Sequence, residues 1–263
     1  AAGCPVIVKE HPAHIRTGRL LIRIARHGLA RARATEAFLG YASNPDPADL
    51  AIAHELVLSP QVRAIGFTGS RRAGLAIEEL ARSRPDRIPV FAEMGSANPV
   101  IITPRAVRTR GPRIGEQIAD SILARFGQQC TCPGIICVPD AAGAGRPLVD
   151  ALAARIAAAA PRDMLSPWIR DSYTRRLSEC LAVFDVRLIA GRADPGASPR
   201  SAHAALLRTS ADRFAWHTEL REEIFGPGAI VVDVADGANI PDLPLPPSLT
   251  LSIFCDPDDA TDI

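Results

Sequence analysis

The chain contains 263 residues, of which 47% are hydrophobic, and it carries a formal net charge of +1 at pH 7. This apolar fraction can build a sizeable core in one large domain or in two modest ones. With a net charge so close to zero, the protein lacks the strong positive electrostatic field that would attract nucleic acid or an anionic membrane. The sequence also lacks an apolar run long enough to span a bilayer, so we expect neither kind of partner.

Six cysteines are spread irregularly along the chain, at positions 4, 130, 132, 137, 180 and 255. In a chain of this size, such spacing favours reduced thiols in the cytoplasm over a disulfide framework. Cys130, Cys132 and Cys137 raise the alternative of a zinc site. Zinc usually takes four ligands, however, and no fourth ligand lies nearby in the sequence, so we expect no metal centre.

Across the first 94 residues, apolar runs typical of buried strands alternate with stretches that carry the apolar stripe of a helix. The predicted strands are Cys4–Lys9, Ala37–Leu39, Ala64–Thr68 and Ile88–Glu93. A first helix is predicted to begin near Thr17, and two further helices are predicted at Ala48–Leu58 and Arg72–Arg82. Strands that alternate with helices pair in parallel through right-handed crossovers. Residues 1–94 are therefore predicted to form part of a doubly wound, Rossmann-like α/β sheet.

The alternation continues from residue 95 to residue 263, where we expect a second α/β domain. Ile114, Ile118 and Ile122 recur at four-residue spacing in a helix predicted to end at Phe126. The other predicted elements are the strands Val100–Ile102, Ile135–Val138, Ile230–Val234 and Leu249–Phe254, the helices Leu148–Ala160 and Trp168–Leu181, and a loop over Ala190–Ser201.

A glycine-containing turn, Phe67-Thr68-Gly69-Ser70-Arg71-Arg72-Ala73-Gly74, joins a predicted strand to a predicted helix. Glycine at such a junction lets the backbone approach a ligand, and the free N–H groups of a helix start attract phosphate. Tight packing between strand and helix would explain the same pattern. The turn is not a Walker loop, because Leu75 stands where that motif needs lysine.

Cys130 follows the segment Phe126-Gly127-Gln128-Gln129, which we interpret as a turn at the end of a helix. Glu93 ends an apolar strand, which is an unusual place for a solvated carboxylate. Covalent chemistry on an aldehyde needs a thiolate to attack the carbonyl carbon and a carboxylate to manage protons and water. The alternative for Cys130 is a buried structural thiol.

Four segments in order resemble the aldehyde dehydrogenase superfamily, and the resemblance covers nearly the whole chain. They are the turn from Phe67 to Gly74, Phe91-Ala92-Glu93-Met94-Gly95-Ser96, Gly127-Gln128-Gln129-Cys130, and Glu222-Glu223-Ile224-Phe225-Gly226-Pro227. The sequence motifs EMGS…NP and GQxCTxPG are most similar to those of the branch that oxidises α-ketoglutaric semialdehyde (2,5-dioxovalerate) to 2-oxoglutarate.

The resemblance implies that Cys130 is the nucleophile and that Glu93 activates the hydrolytic water. Addition of the thiolate would give a thiohemiacetal, loss of hydride would give a thioester, and hydrolysis would release the acid. The backbone N–H of Cys130 would form one arm of an oxyanion hole.

The resemblance further implies a binding site for NADP or NAD. Lys9 would bind the adenosine ribose, Ser70 the pyrophosphate and Glu223 the nicotinamide ribose. NAD-preferring relatives have a glutamate three residues after the lysine, but Pro12 stands there in this chain, so we expect NADP to be accepted. The full set of implied cofactor-binding residues is Lys9, Thr68, Gly69, Ser70, Gly74, Met94, Glu223 and Phe225.

Two segments of the family are not found in these 263 residues. One is a region with Pro-Trp-Asn, whose asparagine donates the second hydrogen bond to the oxyanion, and the other is an arm that pairs subunits into homo-oligomers. The resemblance therefore predicts a fragment, and we expect weak or no turnover from it.

Several other functions remain open at this point. The chain is also compatible with a catalytically silent nucleotide-binding fragment, an NADP-dependent fatty aldehyde dehydrogenase or a cofactor-free thiol esterase. A cysteine hydrolase would need a histidine partner, and the sequence pairs none of His54, His203 and His217 with Cys130.

Overall fold

The computed structural model describes residues 3–43, 46, 50–139, 143–194, 196–235 and 243–256. The chain divides into two compact units, residues 1–94 and residues 95–263. In the described ranges, every helix is too short or too polar to cross a membrane.

The first unit alternates strands and helices along its length. Its elements are β1 (Val6–Lys9), α1 (Ile15–Arg31), β2 (Leu39–Ala42), α2 (Ala51–Leu58), β3 (Ile65–Thr68), α3 (Arg71–Arg82) and β4 (Val90–Glu93). Strand β1 pairs with β2 and strand β3 with β4, and both ladders are parallel, as the alternating pattern predicted.

The predicted strand Ala37–Leu39 is placed too early. Residues Glu36–Phe38 form a 3-10 turn that Thr35 caps, and the extended segment begins at Leu39. Thr35 accepts a hydrogen bond from the N–H of Ala37 at 3.2 Å, so local capping overrides the apolar pattern of this short run. The two prolines of Asn44-Pro45-Asp46-Pro47 predict a loop, and of these four residues only Asp46 lies in the described ranges.

The second unit is built on a longer sheet. Its elements are β5 (Pro99–Ile102), α4 (Pro104–Leu123), β6 (Ile135–Pro139), α5 (Arg146–Ala157), β7 (Arg162–Asp163), α6 (Pro167–Ala182), β8 (Arg187–Gly191), β9 (Ser201–Ala202), β10 (Ala205–Ser210), α7 (Ala211–Trp216), β11 (Gly228–Val234) and β12 (Ser252–Phe254).

Six of these strands form one sheet in the order β12-β5-β6-β11-β10-β8. Successive residues of β6 point to opposite faces of the sheet, and both faces are buried. Ile135 and Cys137 pack in the hydrophobic cluster that includes α6. Ile136 and Val138 pack in the cluster that includes α4 and α5. Helices therefore cover both faces of the sheet, as expected for an α/β domain.

The sheet of the second unit is mixed at one edge. Strand β8 pairs antiparallel with β10, and neither strand was predicted; the last two residues of β8, Ala190 and Gly191, fall in the stretch assigned to a loop. An edge strand is covered on fewer sides than a central strand. Strand β8 begins with two exposed residues, Arg187 and Leu188, and therefore lacks the continuous apolar run that identifies a buried strand. The α/β fold with a mainly parallel sheet is otherwise confirmed.

Candidate functional site

In the first unit, the predicted phosphate turn leaves the C-terminal end of β3. Thr68 pairs in register with Glu93 of β4, and the N–H of Gly69 donates to the carbonyl of Glu93 at 3.1 Å. Ser70 caps α3 by accepting a hydrogen bond from the N–H of Ala73 at 3.3 Å. Gly69 and Ser70 are exposed, so the amides at the start of α3 are open to an anionic ligand.

Gly74 contributes to this turn through packing. A Cβ at position 74 would lie 2.5 Å from Sδ of Met94, so only glycine lets the methionine side chain rest on α3. The structure thus places Gly74 and Met94 against each other, with Gly74 buried and Met94 partly exposed.

Lys9 and Glu93 are both exposed at the C-terminal ends of parallel strands, Lys9 on β1 and Glu93 on β4. Pro12 begins a 3-10 turn just after Lys9. Ligands of open parallel sheets bind at this end of the strands. An exposed lysine and an exposed helix start are groups that fit the ribose and the pyrophosphate of a dinucleotide.

In the second unit, the chain approaches Cys130 through an unusual turn. Helix α4 ends at Leu123, three residues before the predicted end, because Arg125, Phe126 and Gly127 all adopt the left-handed conformation, with φ values of 47°, 56° and 67°. A Cβ on Gly127 would overlap the carbonyl of Gly226, so this glycine is required both by its conformation and by the close approach of the two segments.

The thiol of Cys130 is exposed at the end of this turn. The N–H of Cys132 donates to the carbonyl of Gln129 at 3.1 Å and closes a tight turn around Cys130. Among the described residues, the N–H of Cys130 has no hydrogen-bond acceptor. The turn therefore presents a thiol and a free backbone donor from one residue, which is the pairing that an oxyanion hole at a covalent centre requires.

Glu223 lies near the same turn. Its carboxylate accepts a hydrogen bond from the N–H of Ser96, and burial raises its pKa. Burial and the charge of Glu223 together raise the pKa of Cys132 to about 12, so Cys132 carries its proton at neutral pH. Burial and Glu223 thus disfavour the thiolate form of Cys132, which is the form that a nucleophile needs.

Three residues that hold this region were given no role by the sequence analysis. The buried Asn98 donates from Nδ2 to the carbonyl oxygens of Cys130 and Cys132 at 2.8 and 2.9 Å. Oε1 of Gln128 accepts from the N–H of Leu165 at 2.7 Å. Arg176, on the buried face of α6, donates to the carbonyls of Glu219 and Glu222, just before Glu223. Their signals were weak: an Asn-Pro pair after a strand, and an arginine at helical spacing from Tyr173 and Cys180.

The predicted site residues thus form two groups. Cys130, Glu223 and Phe225 lie in the second unit, where Phe225 is half-buried. The remaining predicted residues lie in the first unit and are Lys9, Thr68, Gly69, Ser70, Gly74, Glu93 and Met94.

The zinc alternative finds no support in the described residues, which contain no group of three or more His, Cys, Asp or Glu side chains placed to hold a metal ion. Cys137 is buried in β6, whereas Cys130 is exposed. The described residues include all six cysteines, and no two of them form a disulfide.

Comparison with known proteins points to one family. The family model described as "Aldehyde dehydrogenase family" matches residues 1–240. The chain is 35% identical over 237 residues to alpha-ketoglutaric semialdehyde dehydrogenase 2 of Azospirillum brasilense, covering 90% of this chain and 44% of that protein. It is 30% identical over 240 residues to alpha-ketoglutaric semialdehyde dehydrogenase of Acinetobacter baylyi, covering 91% of this chain and 44% of that protein. The chain therefore spans less than half the length of these relatives.

Solved structures share the fold at lower identity. A 1-pyrroline-5-carboxylate dehydrogenase mutant from Thermus thermophilus superposes with a TM-score of 0.78 at 18% identity, over 98% of this chain and 50% of that one. The glyceraldehyde-3-phosphate dehydrogenase GapN from Methanocaldococcus jannaschii, solved in complex with NADP, superposes with a TM-score of 0.74 at 13% identity, over 97% of this chain and 54% of that one.

Proposed function

The chain belongs to the aldehyde dehydrogenase family, and on that premise we propose that it oxidises an aldehyde to a carboxylic acid with NADP or NAD. The observation that carries the proposal is the turn at Cys130, where an exposed thiol and a backbone N–H without an acceptor among the described residues belong to the same residue. A thiol hidden in the core could not serve as a nucleophile, and that alternative is wrong for Cys130 because its side chain is exposed.

In the proposed reaction, the thiolate of Cys130 attacks the carbonyl carbon and forms a carbon–sulfur bond. The negative charge that develops on the carbonyl oxygen is stabilised by the N–H of Cys130. Loss of a hydride from the same carbon leaves a thioester on the cysteine. When bound, a nicotinamide dinucleotide supplies the hydride acceptor.

Glu93 acts as the general base in the second half-reaction. It takes a proton from the water that attacks the thioester, and cleavage of the carbon–sulfur bond then releases the carboxylic acid and returns the thiol. Lys9 and the turn at Gly69 and Ser70 hold the ribose and the pyrophosphate, and Glu223 and Phe225 hold the nicotinamide end. The exposure of Lys9, Gly69 and Ser70 supports this assignment.

The substrate that we propose is 2,5-dioxovalerate, with 2-oxoglutarate as product. The support is the similarity to two curated relatives of that name, at 35% and 30% identity. We propose a cytoplasmic location, since irregularly spaced cysteines without disulfides are typical of that compartment.

The test compares the protein with two cysteine variants. Formation of reduced cofactor is followed with 2,5-dioxovalerate or a medium-chain fatty aldehyde, and the acyl-enzyme is trapped and located by mass spectrometry. We expect 2,5-dioxovalerate to be preferred, and we expect Cys130→Ala to abolish both the reduced cofactor and the acyl adduct. Cys4→Ala is the matched control, since Cys4 is also an exposed thiol, and it retains both signals.

Two outcomes would contradict the proposal. Binding of NADP without any acyl adduct would indicate a silent nucleotide-binding protein. Hydrolysis of p-nitrophenyl esters that requires Cys130, without aldehyde-dependent reduction of cofactor, would indicate a thiol esterase.

A further inference from the structure

A single buried side chain ties the turn at Cys130 to two other segments of the second unit. Asn98 is 2% exposed and lies just before β5. Its Nδ2 donates to the carbonyls of Cys130 and Cys132, as described above. Its Oδ1 accepts from the N–H and the Oγ1 of Thr250, at 3.2 and 3.0 Å, and from Oγ of Ser96 at 2.7 Å.

The contacts of Asn98 are directed to the turn that carries the thiol. An amide NH2 group has two hydrogens, and its two shortest contacts here go to Cys130 and Cys132, since the third acceptor, the carbonyl of Ser96, is farther away at 3.3 Å. Buried hydrogen bonds of this kind fix the position of both partners.

The geometry of the peptide bond turns these contacts into a constraint on Cys130. Each peptide is planar and trans, so its N–H points away from its own C=O. The peptide before Cys130 is fixed because the carbonyl of Gln129 accepts from the N–H of Cys132. The peptide after Cys130 is fixed because its carbonyl accepts from Asn98. With both flanking peptides held, the direction of the Cα–Cβ bond and of the free N–H of Cys130 is held as well.

We propose that Asn98 is a positioning residue that holds the thiol and the backbone N–H of Cys130 in the arrangement needed for attack on the aldehyde and for binding of the oxyanion. Asn98 touches no reacting atom and acts through the turn. The inference rests on the proposed function, because the consequence of misplacement is a loss of covalent catalysis.

Two substitutions separate the donor of Asn98 from its other roles. Asn98 has a φ of 44°, a conformation that glycine adopts without strain. The substitution Asn98→Gly therefore removes the side-chain amide without straining the backbone. Asn98→Asp keeps an acceptor for Thr250 but places an oxygen where Nδ2 donated. Thr250→Val is the matched control, since it deletes one hydrogen bond to Oδ1 and leaves both bonds from Nδ2 to the turn.

The first readout compares turnover with alkylation. We expect Asn98→Gly and Asn98→Asp to lower kcat by about 10- to 100-fold, since a misplaced oxyanion donor forfeits much of its effect. Alkylation of Cys130 by iodoacetamide develops no oxyanion, so its rate, taken relative to Cys4 in the same sample, should stay within about threefold. Thr250→Val should keep kcat within about threefold, and KM for the cofactor should be unchanged in all three variants. A purely structural role for Asn98 would change alkylation, KM and kcat together.

The second readout needs no activity. Amide hydrogen exchange reports local opening, and the N–H of Cys132 closes the turn. We expect both Asn98 variants to speed exchange at Cys132 by at least about tenfold while the amides of β6 keep the parent's protection. If the parent forms neither reduced cofactor nor the trapped acyl adduct, the proposed function fails, and this readout still decides the role of Asn98. Unchanged exchange at Cys132, or a kcat equal to the parent's in Asn98→Asp, would overturn the inference.

Discussion

The carboxylate of Glu223 lies directly on the backbone of Gly95, so closely that a Cβ at position 95 would overlap Oε2. The next residue, Ser96, donates its N–H to the same carboxylate. A glycine is therefore needed at position 95 to let Glu223 reach its partner.

We predict that Gly95→Ala displaces Glu223 and weakens cofactor binding, with a rise of about tenfold in KM for NADP, comparable to the loss of one hydrogen bond to a charged group. The KM is measured with saturating aldehyde. Gly28→Ala is the control, because a Cβ at Gly28 meets no atom within 4 Å, and it should leave KM unchanged. Equal KM values for the parent and Gly95→Ala would show that Glu223 does not contact the cofactor.

The sequence was sufficient to locate elements whose pattern is set by the core. Ile114, Ile118 and Ile122 were predicted to share one helix face, and all three are buried in α4. The strand predicted at Ile135–Val138 is buried on both faces, and its apolar run is long enough to be recognised. In these places one physical factor, burial of apolar surface, determines both the pattern and the structure.

The sequence was insufficient where a contact distant along the chain decides the conformation. The end of α4 depends on the close approach of Gly127 to Gly226, which no local pattern encodes. Asn98 and Arg176 act by hydrogen bonds to carbonyls that are 32 or more residues away. Backbone acceptors are present at every residue, so the sequence does not reveal which of them a buried donor will meet.

The left-handed turn before Cys130 makes a testable contribution to stability. Arg125 is exposed and has a φ of 47°, a conformation that costs most residues about 1–2 kcal/mol and that asparagine tolerates better. We predict that Arg125→Asn raises the free energy of unfolding by about 0.5–1 kcal/mol, as measured by urea denaturation. Arg125→Ala removes the same charge without relieving the backbone and should give no gain. Equal stability of the two variants would mean that the turn is unstrained at this residue.

One buried thiol, Cys137, and one half-buried thiol, Cys132, predict a loss of stability in alkaline solution. The pKa of Cys137 is raised to about 12 by burial, and that of Cys132 is raised to about 12 by burial and by Glu223. Unfolded thiols ionise near pH 8.5, so between roughly pH 9 and pH 12 the unfolded chain releases protons that the folded chain keeps. The stabilising contribution is complete below the unfolded pKa and is lost as the pH rises through the folded pKa.

The free energy of unfolding should therefore fall by about 1.4 kcal/mol per pH unit for each thiol across this window. Urea midpoints recorded as a function of pH measure the slope. Cys137→Ala should reduce the slope of unfolding free energy against pH by the contribution of one thiol, about 1.4 kcal/mol per pH unit. This change in slope is expected whatever the effect of the substitution on stability at neutral pH. A slope that is the same with and without Cys137 would contradict the assignment.

Two adjacent arginines on α6 allow a direct comparison of buried and exposed ion pairs. Arg175 and Arg176 both bond to Glu179 at 2.7 Å, yet the side chain of Arg175 is 61% exposed and that of Arg176 is 8% exposed. Only Arg176 also donates to the carbonyls of Glu219 and Glu222.

We predict that Arg176→Met lowers the free energy of unfolding by about 2–3 kcal/mol, because it leaves two partly buried carbonyls without this donor. Arg175→Met should cost no more than about 0.5 kcal/mol, since an exposed pair is screened by water. Urea denaturation measures both. Because Glu222 immediately precedes Glu223, Arg176→Met should also raise KM for NADP, while Arg175→Met should not. Similar losses of stability in the two variants would mean that the shared bond to Glu179, and not the anchoring of the carbonyls, sets the contribution of Arg176.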